Sequence, residues 1–283
     1  MKILKYYLSL AAILFFAASC EKNEITFTQQ MSFDPTTQSA FQLHYMVNVT
    51  TNADYYITKV ELNDEIIYRS NITSYNGAPG GAVGKFFLAP KGTSNLKLYQ
   101  GTSPNYTLVY DNNFTTEAGQ YYNVFVHAFD KSPVVINNDF PYIKDPVYQD
   151  SCGYVKFYNF LYETDDTPTT LRLQYERIDH FTGDTVPVGH PVSFGECTGW
   201  QPVVIKRPAG VTSGFARVDY LIHVIDADGV TDLGQLQVMN SSGTYIDYTD
   251  YWTCYIGRHY HHIFKGYRSK SSLTSGVVVW TAW

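Results

Sequence analysis

The sequence predicts an all-β protein, two tandem antiparallel β-sandwich domains, and three observations carry that expectation. Short apolar-polar alternations recur along the chain, turn-forming groups separate them, and a strand-and-turn pattern of the first half returns in the second. Aromatic side chains, with 25 Tyr and 17 Phe, suit pleated half-buried surfaces better than helix faces.

The first 19 residues read as a secretory signal: Lys2 and Lys5 form a basic start, and an apolar run from Leu8 to Ala18 follows. That run falls short of the roughly 20 apolar residues a spanning helix needs. Ala17-Ala18-Ser19-Cys20 has the layout of a bacterial lipoprotein cleavage site, so the mature chain is expected to begin at an acylated, palmitate-bearing Cys20. Residues 20–39 are polar, rich in Thr and Gln, and read as a tether. Within it Glu21, Lys22, Asn23 and Glu24 fit either an outward export tag or a solvated linker.

From Phe41 the period becomes two, with Phe41, Leu43, Tyr45, Val47 and Val49 on one side, which predicts a strand with one buried face. Val60-Glu61-Leu62 and Ile66-Ile67-Tyr68 flank Asn63-Asp64 and predict a hairpin. Strands are expected at 83–88, 96–99, 107–110 and 121–129, with turns at Pro90-Lys91-Gly92, Asp111-Asn112-Asn113 and Glu117-Ala118-Gly119. This spacing indicates a first sandwich over residues 40–130. The Pro-bearing stretch 131–150 reads as a linker, and a second sandwich over 151–283 opens with strands at 153–160 and 171–178.

Two echoes tie the halves together. Phe86-Phe87-Leu88-Ala89-Pro90-Lys91-Gly92 resembles Val203-Val204-Ile205-Lys206-Arg207-Pro208-Ala209-Gly210, and Gly119-Gln120-Tyr121-Tyr122 resembles Gly257-Arg258-His259-Tyr260. The second copy is longer between these landmarks, which places an insertion between Asp226 and Asp250. With Gly153-Tyr154-Val155-Lys156-Phe157 opening the second copy, the chain resembles the tandem Ig-like domains of unknown function in Bacteroides-type surface lipoproteins. The resemblance implies immunoglobulin-like sandwiches and an outer-membrane location facing the cell exterior, and it transfers no catalytic residues.

A net charge of −6 and a pI near 5.7 lack the basic field that nucleic-acid binding requires. With Cys20 acylated, Cys152, Cys197 and Cys254 remain in an oxidising setting: either Cys197 pairs with Cys254, or all three are small buried hydrophobes. His259 and His261 share one face of a strand, pointing away from the core, while Tyr260, His262 and Phe264 share the other. Two such imidazoles grip Zn²⁺ if His223, Asp247 or Asp250 completes the set; otherwise they are exposed or partner-bonded. Asp226-Ala227-Asp228-Gly229 with Asp232 reads more simply as a hairpin turn than as a Ca²⁺ loop, and Asp165-Asp166 as a solvated loop.

No nucleophile elbow or phosphate loop occurs, and no cofactor is implied, so a non-enzymatic role is expected. All four Trp (Trp200, Trp252, Trp280, Trp283) fall in the second half with His180, His190, His223 and the His-rich strand. Trp200 and Trp252 are therefore the expected ligand-binding aromatics of a surface protein that recognises glycan or a protein partner. The alternative is a structural subunit or spacer of an envelope assembly, which predicts an apolar edge or patch.

Overall fold

Alternation makes the strands and positive φ makes their turns. The computed structural model describes residues 33–50, 52–80, 85–139, 152–164, 167–179, 182–205 and 214–282. The signal segment, Cys20, the tether up to residue 32, linker residues 140–150, Asp165-Asp166, Lys206 to Gly210, His180 and Trp283 lie outside the described residues. Apart from a single 3-10 turn, Ala53–Tyr55, all regular structure among the described residues is β.

The first half holds β1 (Gln38–Tyr45), β2 (Lys59–Leu62), β3 (Glu65–Tyr68), β4 (Asn76–Ala78), β5 (Phe87–Pro90), β6 (Gly92–Thr102), β7 (Asn105–Thr116), β8 (Tyr121–Val126) and β9 (Val134–Asn137). The second holds β10 (Cys152–Asn159), β11 (Tyr162–Thr164), β12 (Thr167–Pro168), β13 (Arg172–Ile178), β14 (Thr185–Pro187), β15 (Gln201–Val204) and β16 (Phe215–Ile225). It continues with β17 (Asp232–Gln235), β18 (Gln237–Met239), β19 (Tyr245–Asp247), β20 (Thr249–Tyr255), β21 (His259–Lys265) and β22 (Gly276–Thr281).

Each half pairs its strands in the same way. In the first, β1 lies parallel to β8 and antiparallel to β4 and β5, while β3-β2-β6-β7 form the facing sheet. In the second, β10 lies parallel to β21 and antiparallel to β15, while β14-β13-β16 with β20 form the facing sheet. Register makes the correspondence residue by residue: Phe41 opposes Tyr122 as Val155 opposes Tyr260. The tyrosine hydroxyls accept from the backbone N–H five residues upstream in both copies, Glu117 at 3.0 Å and Tyr255 at 3.2 Å. Gly119 and Gly257 precede them at φ +75 and +76 and donate to Gln38 and Cys152, themselves corresponding residues. The glycine-aromatic echo is therefore a shared turn. Where β6 and β7 join directly, β16 and β20 are separated by β17, β18 and β19, so the insertion sits where the landmarks placed it.

One apolar cluster forms from residues 41–126 and another from 155–264, each lined by both sheets of its half. Residues Phe33–Trp283 are nevertheless one compact unit. The reason is a third cluster, Met46, Phe125, Tyr158, Phe160 and Ile263, through which the β1/β8 sheet backs onto the β10/β21 sheet. The expected single buried face of the first strand is thus corrected: Gln42 and His44 are buried like Phe41 and Leu43, and every residue of β10 is buried. Parallel pairs covered on both faces are the usual consequence of such layering.

The hairpin at Asn63-Asp64 forms with both residues at positive φ, +51 and +66, as a type I′ turn requires. Asp111-Asn112-Asn113, expected as a turn, runs through the middle of β7 because Asn95 Nδ2 donates across the ladder to Asp111 and Asn113. The stretch read as a linker contains β9, which Pro133 precedes without costing a ladder bond, and β1 begins three residues earlier than Phe41.

Gly153 shows how closely the second half's two sheets meet. A Cβ there meets Cys254 Sγ at 2.5 Å and the Tyr255 carbonyl at 2.8 Å. Gly153→Ala is expected to lower the free energy of unfolding by about 1–3 kcal/mol in urea titration, the usual cost of overpacking; an unchanged midpoint would refute that packing.

Candidate functional site

The His-rich strand β21 obeys the expected parity. Tyr260, His262 and Phe264 enter the second core, where His262 lies among Tyr175, Tyr220 and Trp252. His259 and His261 take the opposite face, away from that core, but this face meets the first half instead of water. His259 is 5% exposed and His261 fully buried.

Asn123 is the hub of this seam. Its Oδ1 lies 3.1 Å from His44 Nε2, and its Nδ2 lies within 3.3 Å of Asn138 Oδ1, Tyr158 OH and His261 Nε2. Tyr158 OH reaches His261 Nδ1 at 2.8 Å. Trp200 packs on His259 and His261 and donates from Nε1 to the Asn138 carbonyl, while the buried Lys156 donates to the Asn137 carbonyl at 2.7 Å. Burial strips water from the imidazolium form, pushing His44 and His259 down to about 4 and His262 to about 3. His261 is held well below the usual value, by burial first and then by its neighbours His44 and Lys156.

The proposed zinc set does not assemble. His223 sits on β16 with Nδ1 2.6 Å from Asp232 and Nε2 4.0 Å from Glu176, Asp250 accepts from Tyr220 and Tyr248, and Asp247 accepts from Gln237. Among the described residues no group of three or more His, Cys, Asp or Glu is arranged to hold a metal. Asp228 accepts from Val230 and Thr231, capping the β16–β17 turn as the hairpin reading expects.

Nor do Cys197 and Cys254 pair: both are free thiols, with Cys254 against Gly153 in the second core and Cys197 packed on the seam beside Tyr158. Burial raises the Cys254 thiol to about 12. Trp252 and Trp200 do not form an exposed platform. Trp252 is 4% exposed, stacked edge-on to Tyr260 and His262, and Trp200 is half-buried in the seam.

The aromatic surface lies one residue away. Because Trp252 points inward, its neighbours on β20, Tyr251, Thr253 and Tyr255, point outward and oppose Asp219, Arg217 and Phe215 of β16. Tyr251 is 55% exposed and Phe215 49%. Phe215 and Tyr255 rings lie 5.2 Å apart, Arg217 stacks 3.8 Å over Tyr251, and Arg258 stacks 4.3 Å over Tyr255. Asp219 holds Arg217 with bonds of 2.9 and 2.6 Å. Successive outward positions stand about 6.7 Å apart along a strand, so three rungs make a flat face of about 13 Å. The sequence signal was the Tyr251-Trp252 pair, in which alternation turns only one ring outward.

A concavity of about 610 Å³ opens where the halves meet, between Val47, Asn48 and Phe129 on one side and Tyr162, Pro168 and Tyr267 on the other. His127 Nδ1 lies 2.8 Å from Tyr162 OH at its wall.

No family model and no curated relative matches the chain. Among solved structures it is similar to a leucine-rich repeat protein from Bacteroides thetaiotaomicron, at 11% identity over 80% of this chain and 25% of that one, with a TM-score of 0.24. The chain spans about a quarter of that protein, and so loose a superposition carries neither fold nor function.

The buried histidines fix a pH dependence. Their folded pKa values lie below the unfolded value near 6.5, so stability is complete above that pH and is lost as pH falls toward 4 while the unfolded chain alone takes up protons. At pH 5 His44 and His262 each remove about 2 kcal/mol. Urea unfolding at pH 7, 6 and 5 is expected to show a steadily falling free energy, and a flat profile would contradict the neutral buried state.

Proposed function

We propose that this chain is a lipid-anchored outer-membrane protein of two tandem Ig-like β-sandwiches, facing the cell exterior, whose task is non-catalytic recognition of glycan or a protein partner. The observation that carries the recognition reading is the outward aromatic face of β16 and β20. Flat rings with polar edges, set on a rigid ladder, meet a ligand with little loss of side-chain freedom. The Ig-like reading is supported by the tyrosine whose hydroxyl bonds to the upstream backbone in each copy, the arrangement of a tyrosine corner. The anchor reading rests on Ala17-Ala18-Ser19-Cys20.

One observation favours the subunit alternative: β22 ends its sheet with the uncharged run Val277-Val278-Val279, and Val279 is 43% exposed. Stable capture of one envelope protein through that edge, without glycan binding, would select this alternative.

The full chain in detergent micelles is expected to bind components of a glycan array, and Phe215→Ala with Tyr251→Ala to abolish that signal while shifting stability by about 0.5 kcal/mol or less, as surface changes do. An array signal untouched by the double substitution would remove the face from the site. Cys20→Ala is expected to move the protein from the membrane fraction to the soluble fraction; continued membrane retention would remove the anchor.

A further inference from the structure

This inference rests on the recognition reading and names its ligand class: we propose that the β16–β20 face takes an acidic polysaccharide, a sugar chain bearing ring carboxylates. The guanidinium carbons of Arg217 and Arg258 lie over the Tyr251 and Tyr255 rings, 3.8 and 4.3 Å from the ring centres. Each guanidinium lies over one of the two tyrosine rings, while Phe215, 49% exposed, carries no cation. A neutral sugar meets the exposed ring surface alone, whereas an acidic sugar meets that surface and two cations.

Stacking fixes the plane of a guanidinium and leaves its N–H fork at the edge, the geometry that grips a carboxylate with two parallel bonds. Arg217 already uses part of its fork on Asp219. Arg258 is exposed and has no carboxylate within ion-pair distance among the described residues. Across the three rungs Arg217 is paired with Asp219, and Arg258 beside them adds one further positive charge on a chain whose net charge is −6. An anionic chain repelled by the surface at large is drawn to a local positive field. Thr253, exposed on the middle rung between the two aromatic rungs, adds a hydroxyl that bonds to sugar or carboxylate alike.

The test compares polygalacturonate with its fully methyl-esterified form, the same backbone without charge, using the full chain in detergent micelles. Polygalacturonate is expected to bind about tenfold more tightly, with the difference lost at high salt. Arg258→Gln with Arg217→Gln should equalise the two probes while weak ester binding persists, and Asp219→Asn should strengthen acid binding about two- to fivefold by removing the repelling carboxylate. Circular dichroism of each variant checks that the fold is kept. Equal binding of acid and ester by the natural chain overturns the inference and leaves glycan recognition standing. Acid binding unaffected by the arginine substitutions also overturns it, since the cations then lie elsewhere. Binding to neither probe sinks this inference, and an array that is silent as well sinks glycan recognition with it.

Discussion

Everything in the structure depends on the contact between the two inner sheets. Strands β1 and β8 on one side, and β10 and β21 on the other, are covered on both faces, so the side chains between them must be satisfied without water. Asn123 meets that demand by turning its carbonyl oxygen to His44 and its amide to Asn138, Tyr158 and His261. A buried network holds the halves in one arrangement only if its members stay neutral. The histidines are, because burial strips water from the imidazolium form, and at His261 Lys156 adds a neighbouring positive charge.

The same positions in each copy build this contact. By register His44 corresponds to Tyr158, Asn123 to His261, Met46 to Phe160 and Phe125 to Ile263, and all eight residues lie in the seam. A surface that packs against its own counterpart is the isologous contact of a two-fold dimer, here joined within one chain. The matched glycine turns and tyrosine bonds recur at corresponding positions, while one half supplies His and Asn where the other supplies Tyr and His.

Strand character, the Asn63-Asp64 hairpin, the glycine-aromatic repeat and the place of the insertion were legible, because each depends on local backbone chemistry and on a period of two. The partner of a strand's second face was not. Gln42, His44, Asn123 and His261 are polar at alternate positions, and polarity alone does not tell water from a complementary sheet. Misplacing that face displaced the candidate site as well. Trp200, His259 and His261 entered the seam, Trp252 and His262 entered the core, and Tyr251 and Phe215 are among the rings left exposed. The Cys197–Cys254 pairing failed for a related reason, since nearness to tryptophan in sequence does not place two thiols on one side of a sheet.

Layering also decides which surface is open to a ligand. With the inner sheets back to back, the broad sheet faces left outward belong to β2-β6-β7 in the first half and β13-β16-β20 in the second. The first is closed on itself: Lys59 binds Glu61 at 2.8 Å and lies 3.5 Å over Tyr99, Tyr99 OH donates to Glu61, Lys97 pairs with Asp64, and Asn95 bridges Asp111 and Asn113. A ligand there must first displace partners already in place. On the second face His223 is held by Asp232 and Arg217 by Asp219, while Phe215, Tyr251 and Arg258 turn to solvent. The two halves therefore differ in what they leave open, and the seam that buries the polar strands sets the aromatic face on the far side of the second half from the first.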